Sequence, residues 1–131
     1  NAKSSIDKYN MLYSVDELRQ EILPFIAFVK TRLKMQSHPR IRMVQMIHHS
    51  NGHPSFATYS PQDNVITVVY KNRHIMDILR SLAHEMVHAR QNERHELAAD
   101  SGRTGSVQEN QANAWAGVIM RDWAAENPHL F

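Results

Sequence analysis

The stretch from Ile75 to Gln91 admits few folded environments, because at about 100° per residue around a helix its apolar and polar residues separate onto two sides. Ile75, Ile78, Leu79, Leu82, Met86 and Ala89 fall on one broad side, and Asp77, Ser81, His84, His88 and Gln91 fall opposite. Such a helix must pack one side on a core and turn the other toward a cleft. The cleft side carries His84-Glu85-Met86-Val87-His88, which has the spacing H-E-x-x-H. Residues four apart share a helix face, so two imidazoles can bind one metal ion while Glu85 reaches a water held by that ion. Nine histidines raise the chance of an accidental match. The segregation of histidines from the apolar side argues for a real metal site.

A catalytic zinc takes three protein ligands and keeps a position for water, so a third ligand must come from elsewhere in the chain. There is no cysteine, which removes disulfides, thiolate ligands and cysteine nucleophiles and leaves histidine and carboxylate. Ser106-Val107-Gln108-Glu109 is a capping box that opens a helix lasting until Asn127-Pro128. Ala112, Trp115, Ala116, Ile119, Met120 and Trp123 form its apolar side, and Glu109 lies at the N-terminal end of that side. A carboxylate on a buried face is costly unless it is paired or bound to metal, and the small Ala112 and Ala116 would let this helix approach the motif helix closely. Glu109 is therefore the expected third ligand. The alternative is that it only serves the capping box, reaching back to the Ser106 amide. His95, Glu96 and Asp100 compete less well, because on a continued helix His95 lies too far along the axis from His84 and His88. A metzincin would have glycine at Gln91 and histidine at Arg94, so that class is excluded.

The rest of the chain reads as one α+β domain, residues 1–131, long enough to bury a core without disulfides. An N-terminal arm to about Tyr13 precedes the capping box Ser14-Val15-Asp16-Glu17. This box should start a helix that Pro24 kinks or divides and that runs to about Met35. Strands are expected at Ile41 to His48, Ser55 to Tyr59 and Val65 to Tyr70, separated by turns at Asn51-Gly52 and Pro61-Gln62-Asp63-Asn64, and together forming a small antiparallel sheet. The motif helix should run from about His74 to Arg94. His48, His49 and His53 read as a polar turn before a second metal cluster. Arg32, Lys34, Arg40 and Arg42 read as a solvated face, so nucleic acid is only weakly suggested despite a net charge of +2 and a pI near 9.1. With 42% hydrophobic and 21% charged residues and no long apolar run, no membrane association is expected, and the lack of cysteine fits a reducing cytoplasm. No signal peptide is visible, though a chain starting at Asn1 leaves a removed leader open.

Leu82-Ala83-His84-Glu85-Met86-Val87-His88, preceded by a strand and followed by Glu109-Asn110-Gln111-Ala112-Asn113-Ala114-Trp115-Ala116, resembles the small zinc peptidases of the ImmA/IrrE type. Those carry L-A-H-E-x-x-H and then E-x-x-A-N-x-F-A. The resemblance spans roughly Val65 to Met120 and implies zinc held by His84, His88 and Glu109, with Glu85 as catalytic base. Trp115 stands where that family usually has phenylalanine. Val118-Ile119-Met120-Arg121 replaces a leucine-rich run, which bears on the substrate rather than on the metal. The motif helix is also similar to that of SprT-like proteases, which act on DNA-bound proteins. Their third ligand is a later histidine, and no histidine lies between His95 and His129.

These readings converge on a zincin-like, gluzincin-type metallopeptidase fold that hydrolyses peptide bonds with Zn2+. The expected ligands are His84, His88 and Glu109, and the expected general base is Glu85. Val65 to Tyr70 is the expected cleft wall, where a protein or peptide substrate could pair by strand addition. Tyr70, His74 and Arg80 are candidates for steadying the oxyanion. The rival readings are a metal-binding regulatory module without turnover and a protease directed at DNA-bound proteins. Oligomeric state stays open.

Overall fold

In the computed structural model, residues 15–47, 56–97 and 106–130 are described. Helix α1 (Val15–Leu33) begins where the capping box requires, although Ser14 itself lies outside the described residues. Asp16 and Glu17 in its first turn and Lys30 and Arg32 in its last complement the helix dipole. Leu18, Ile22, Phe25, Val29 and Leu33 recur every three or four residues and are all buried. Pro24 sits inside α1 without dividing it. Its ring lies on the exposed side, and the carbonyl deprived of a donor belongs to the exposed Gln20. The helix closes at Lys34, whose φ of 53° allows the Met35 amide to donate to the Lys30 carbonyl at 3.0 Å.

Three short strands follow: β1 (Arg40–Val44), β2 (Ala57–Ser60) and β3 (Val65–Val69). Their order in the sheet is β1-β3-β2. The hairpin of β2 and β3 is antiparallel, with Ala57 opposite Val68 and Ser60 opposite Val65. The expectation of an all-antiparallel sheet fails at β1, which runs parallel to β3, with Arg40 opposite Val65 and Val44 opposite Val69. The physical reason lies in burial. β3 is the most apolar strand and takes the centre with Ile66, Val68 and Val69 buried, whereas β1 carries the exposed Arg40 and Arg42 and suits an edge. The link between β1 and β2 is long enough to carry the chain past the central position.

Helix α2 (Ile75–Glu93) then crosses under the sheet, and α3 (Val107–Glu126) packs along α2 before a final 3-10 turn (Pro128–Leu130). Among the described residues the architecture is thus α+β, with three helices and a mixed three-stranded sheet. Both caps of α2 match the expected ends, with His74 at the N-cap and Arg94 at the C-cap. At the far end His95 takes a φ of 59° and the Glu96 amide donates to the Gln91 carbonyl at 2.7 Å, which stops the helix. Trp123 of α3 meets Phe25 edge-on at 5.4 Å and Phe28 at 5.0 Å, closing the core against α1. The end of α1 is tied to the end of α2 as well. Arg90 donates to the Leu33 carbonyl at 3.0 Å, and the Glu93 carboxylate accepts from the backbone amides of Gln36 and Ser37.

Candidate metal centre

Contact between α2 and α3 brings His84, His88 and Glu109 together, with one potential ligand atom from each lying within 4.8 Å of the others. His84 and His88 stand one turn apart on α2, their ring centroids 5.1 Å apart and their planes at 78°. Glu109 reaches them from the third residue of α3. Its backbone amide donates to the Ser106 hydroxyl oxygen at 3.0 Å, as a capping box demands. Its carboxylate is turned to the imidazoles instead of serving only the cap: Oε1 contacts His84 Nε2 and lies 3.4 Å from His88 Nε2. Ala112 and Ala116 are buried below it and hold the two helices close.

The donor set fits a divalent metal on its own chemistry. Two imidazole nitrogens and a carboxylate oxygen are a zinc ligand set. Glu109 Oε1 is buried and accepts no hydrogen bond, so a cation is the partner that would neutralise it. Protonation points the same way. His88 Nδ1 donates to Gln91 Oε1 at 2.8 Å, which leaves its Nε2 with a free lone pair. Burial lowers the His84 pKa against the opposing pull of Glu109, with His88 and an Asn113 hydrogen bond contributing in lesser measure. That favours the neutral ring a metal requires.

Gln91 is the residue that sequence reasoning missed. It is fully buried and spends its amide protons on the Gln111 side chain at 2.7 Å and the Gln108 carbonyl at 3.1 Å, so its oxygen is committed to His88. The periodicity places Gln91 on the histidine side, facing a cleft. In the structure that end of the side is covered by α3 instead. The signal was present, since Gln91 lies three residues after His88 on the same helix face.

Glu85 is largely buried beside this centre, its Oε2 3.9 Å from His84 Nε2. Desolvation first, and then the charge of Glu109, push its pKa up to about 8. His84 and Glu85 form the floor of a cleft of about 390 Å³, with Phe56 and Ala57 on the β2 side and Asn113 on the α3 side. The expectation that Val65 to Tyr70 walls this cleft and accepts a strand is overturned. β3 is central and both its edges are paired, and the strand that contributes to the cleft lining is β2, through Ala57. Of the oxyanion candidates, only Arg80 lines the cleft. Tyr70 packs against the core, and His74 caps α2, its Nδ1 accepting from the Met76 amide at 3.1 Å.

Among the competing ligands, His95 lies past the end of α2, and Glu96 is exposed with its carbonyl held by Gln108 at 3.0 Å. Asp100 and the group His48, His49 and His53 lie outside the described residues. Within the basic group, Arg32 is engaged by Asp122 at 2.6 Å and by the face of Phe28. No described helix is long and apolar enough to cross a membrane. No family model, curated protein or solved structure matches the chain.

Proposed function

We propose that this protein is a zinc-dependent, zincin-like peptidase. The observation that carries the reading is the convergence of His84, His88 and Glu109 within 4.8 Å, with His84 and the neighbouring Glu85 both lining a cleft. When bound, zinc supplies Lewis acidity, polarising a scissile carbonyl and acidifying a water molecule. The two histidines and Glu109 would hold the ion, and Gln91, bonded to Nδ1 of His88, would leave Nε2 of that ring as the ligand atom. Glu85 takes the proton from the attacking water on a carboxylate oxygen and passes it to the leaving amine. A carboxyl group held near neutrality by burial suits a proton that is taken and then returned.

Metal analysis of the purified protein combined with a peptide-cleavage assay of wild type and Glu85→Gln tests this reading. One zinc per chain is expected in both proteins, with cleavage in wild type only and a loss of about 10² to 10⁴ in rate for the variant. Equal turnover would remove Glu85 as base. Full metal content without cleavage by wild type would instead leave a metal-binding module.

A further inference from the structure

We propose that Arg80 makes this cleft selective for substrates carrying a carboxylate about two residues from the scissile bond. The inference rests on the peptidase reading and adds a substrate class to it. Two arginines stand at the α2 side of the cleft, and their situations differ. Arg73 is spent internally: its guanidinium donates to the Val69 carbonyl at 2.9 Å, the Asp77 carbonyl at 3.0 Å and the Ser81 hydroxyl at 2.7 Å, and lies over the Phe56 ring at 4.6 Å. It thereby fixes Phe56 and Ser81, both of which line the cleft. Arg80 lines the same cleft, is exposed, and makes no hydrogen bond or ion pair with any described residue. One arginine builds the wall, and the other is left to meet what enters.

Position and charge define what Arg80 would meet. It precedes His84 by one turn on the same face of α2, so its backbone sits about 6 Å along the helix axis from that ligand. An extended peptide advances about 3.3 Å per residue, so Arg80 faces the substrate about two residues from the carbonyl at the metal. Arg80 is the one arginine or lysine among the described residues lining the cleft. A planar guanidinium with free donors pairs best with a carboxylate, by two parallel hydrogen bonds. Aspartate, glutamate or a terminal carboxylate near the bond would satisfy it.

Two measurements on the zinc-loaded protein test this. In the first, cleavage sites in a random peptide library are mapped for wild type, Arg80→Gln and Arg80→Glu. In the second, binding of tripeptide hydroxamates differing only in one side chain (aspartate, asparagine or lysine, two residues from the hydroxamate) is followed by calorimetry. Wild type should enrich acidic residues at one position and bind the aspartate compound about tenfold tighter than its asparagine analogue, the size expected of a charge-assisted pair. Arg80→Gln should erase the preference, Arg80→Glu should shift it toward lysine, and added salt should weaken it. Normal cleavage with no acidic preference, or a preference that survives in Arg80→Gln, overturns the proposal. So does a fall in kcat shared by all peptides in Arg80→Gln, which would assign Arg80 to the oxyanion. An aspartate preference in hydroxamate binding without peptide cleavage keeps the role of Arg80 and removes the peptidase reading. Failure of every hydroxamate to bind removes both.

Discussion

Replacing Glu85 by glutamine should make the metal-free protein more stable. Glu85 is mostly buried on α2, and its pKa is raised from 4.5 to about 8. In the unfolded chain the carboxyl ionises near its ordinary value, whereas in the folded protein it keeps its proton until about pH 8. A raised folded pKa means that the relative stability is greatest below the unfolded value and is lost as pH climbs toward the folded value. Each unit is worth about 1.4 kcal/mol, so by pH 7 the ionisable side chain costs about 3 kcal/mol that an amide does not. The glutamine amide must itself be desolvated, which brings the expected gain to about 2 kcal/mol. Urea unfolding in the presence of chelator, repeated from about pH 5 to 8, measures it. Wild type should lose stability across this window relative to Glu85→Gln, and the two should converge at the acidic end. Parallel pH profiles would show that Glu85 is not held neutral by its surroundings. The same substitution should remove most of the hydrolysis, so stability and activity would move in opposite directions at one residue.

Glu109→Ala should lower zinc content and affinity strongly while His95→Ala leaves both unchanged, and competition with a chromogenic chelator reads the difference. Gln91→Leu should weaken zinc binding by about 10- to 100-fold, because His88 loses the partner that sets its tautomer; unchanged affinity would make Gln91 a purely structural contact. Glu93→Gln should cost about 1 kcal/mol near neutrality through its weakened bonds to Gln36 and Ser37. Although desolvation acts upward on Glu93, the amide bonds from Ser37 and Gln36 hold its pKa below the usual value. Its contribution is therefore present above that value and lost as pH falls through the folded pKa, so the variant should show a shallower acid-side decline in thermal melts.

The helices were legible because their ends are written in local chemistry. Ser106 at one cap and Asn127-Pro128 at the other bound α3, and His74 and Arg94 bound α2. The convergence of His84, His88 and Glu109 was legible for a related reason. His84 and His88 share a helical face, and Glu109 is a charged residue on an otherwise apolar stripe, which calls for a partner. Strand order was not legible, since alternation tells which side of a strand is buried but not which strand lies beside it. The parallel pairing of β1 with β3 follows from competition for the central position, a property of all three strands together. The same limit applies to Gln91 and Arg73. A helical period assigns each to a face, while α3 over the one and Phe56 over the other are decided by tertiary packing.

Glu109 and Glu85 differ in placement, and the difference bears on the separate roles proposed for them. Glu109 lies in the first turn of α3, where the unpaired amides and the helix dipole favour negative charge, and its Oε1 faces two imidazole nitrogens across the helix interface. Glu85 lies in the middle of α2, far from either helix end, and is desolvated with Glu109 as its charged neighbour. On the proposed reading, the first position suits a carboxylate that holds a cation, and the second, with its pKa pushed up to about 8, suits a group that gains and releases a proton near neutral pH. Exchanging the two residue types by mutation could not exchange the roles, because both are glutamate already. The backbone around each carboxylate makes the distinction, and α2 and α3 must pack as they do for the site to work.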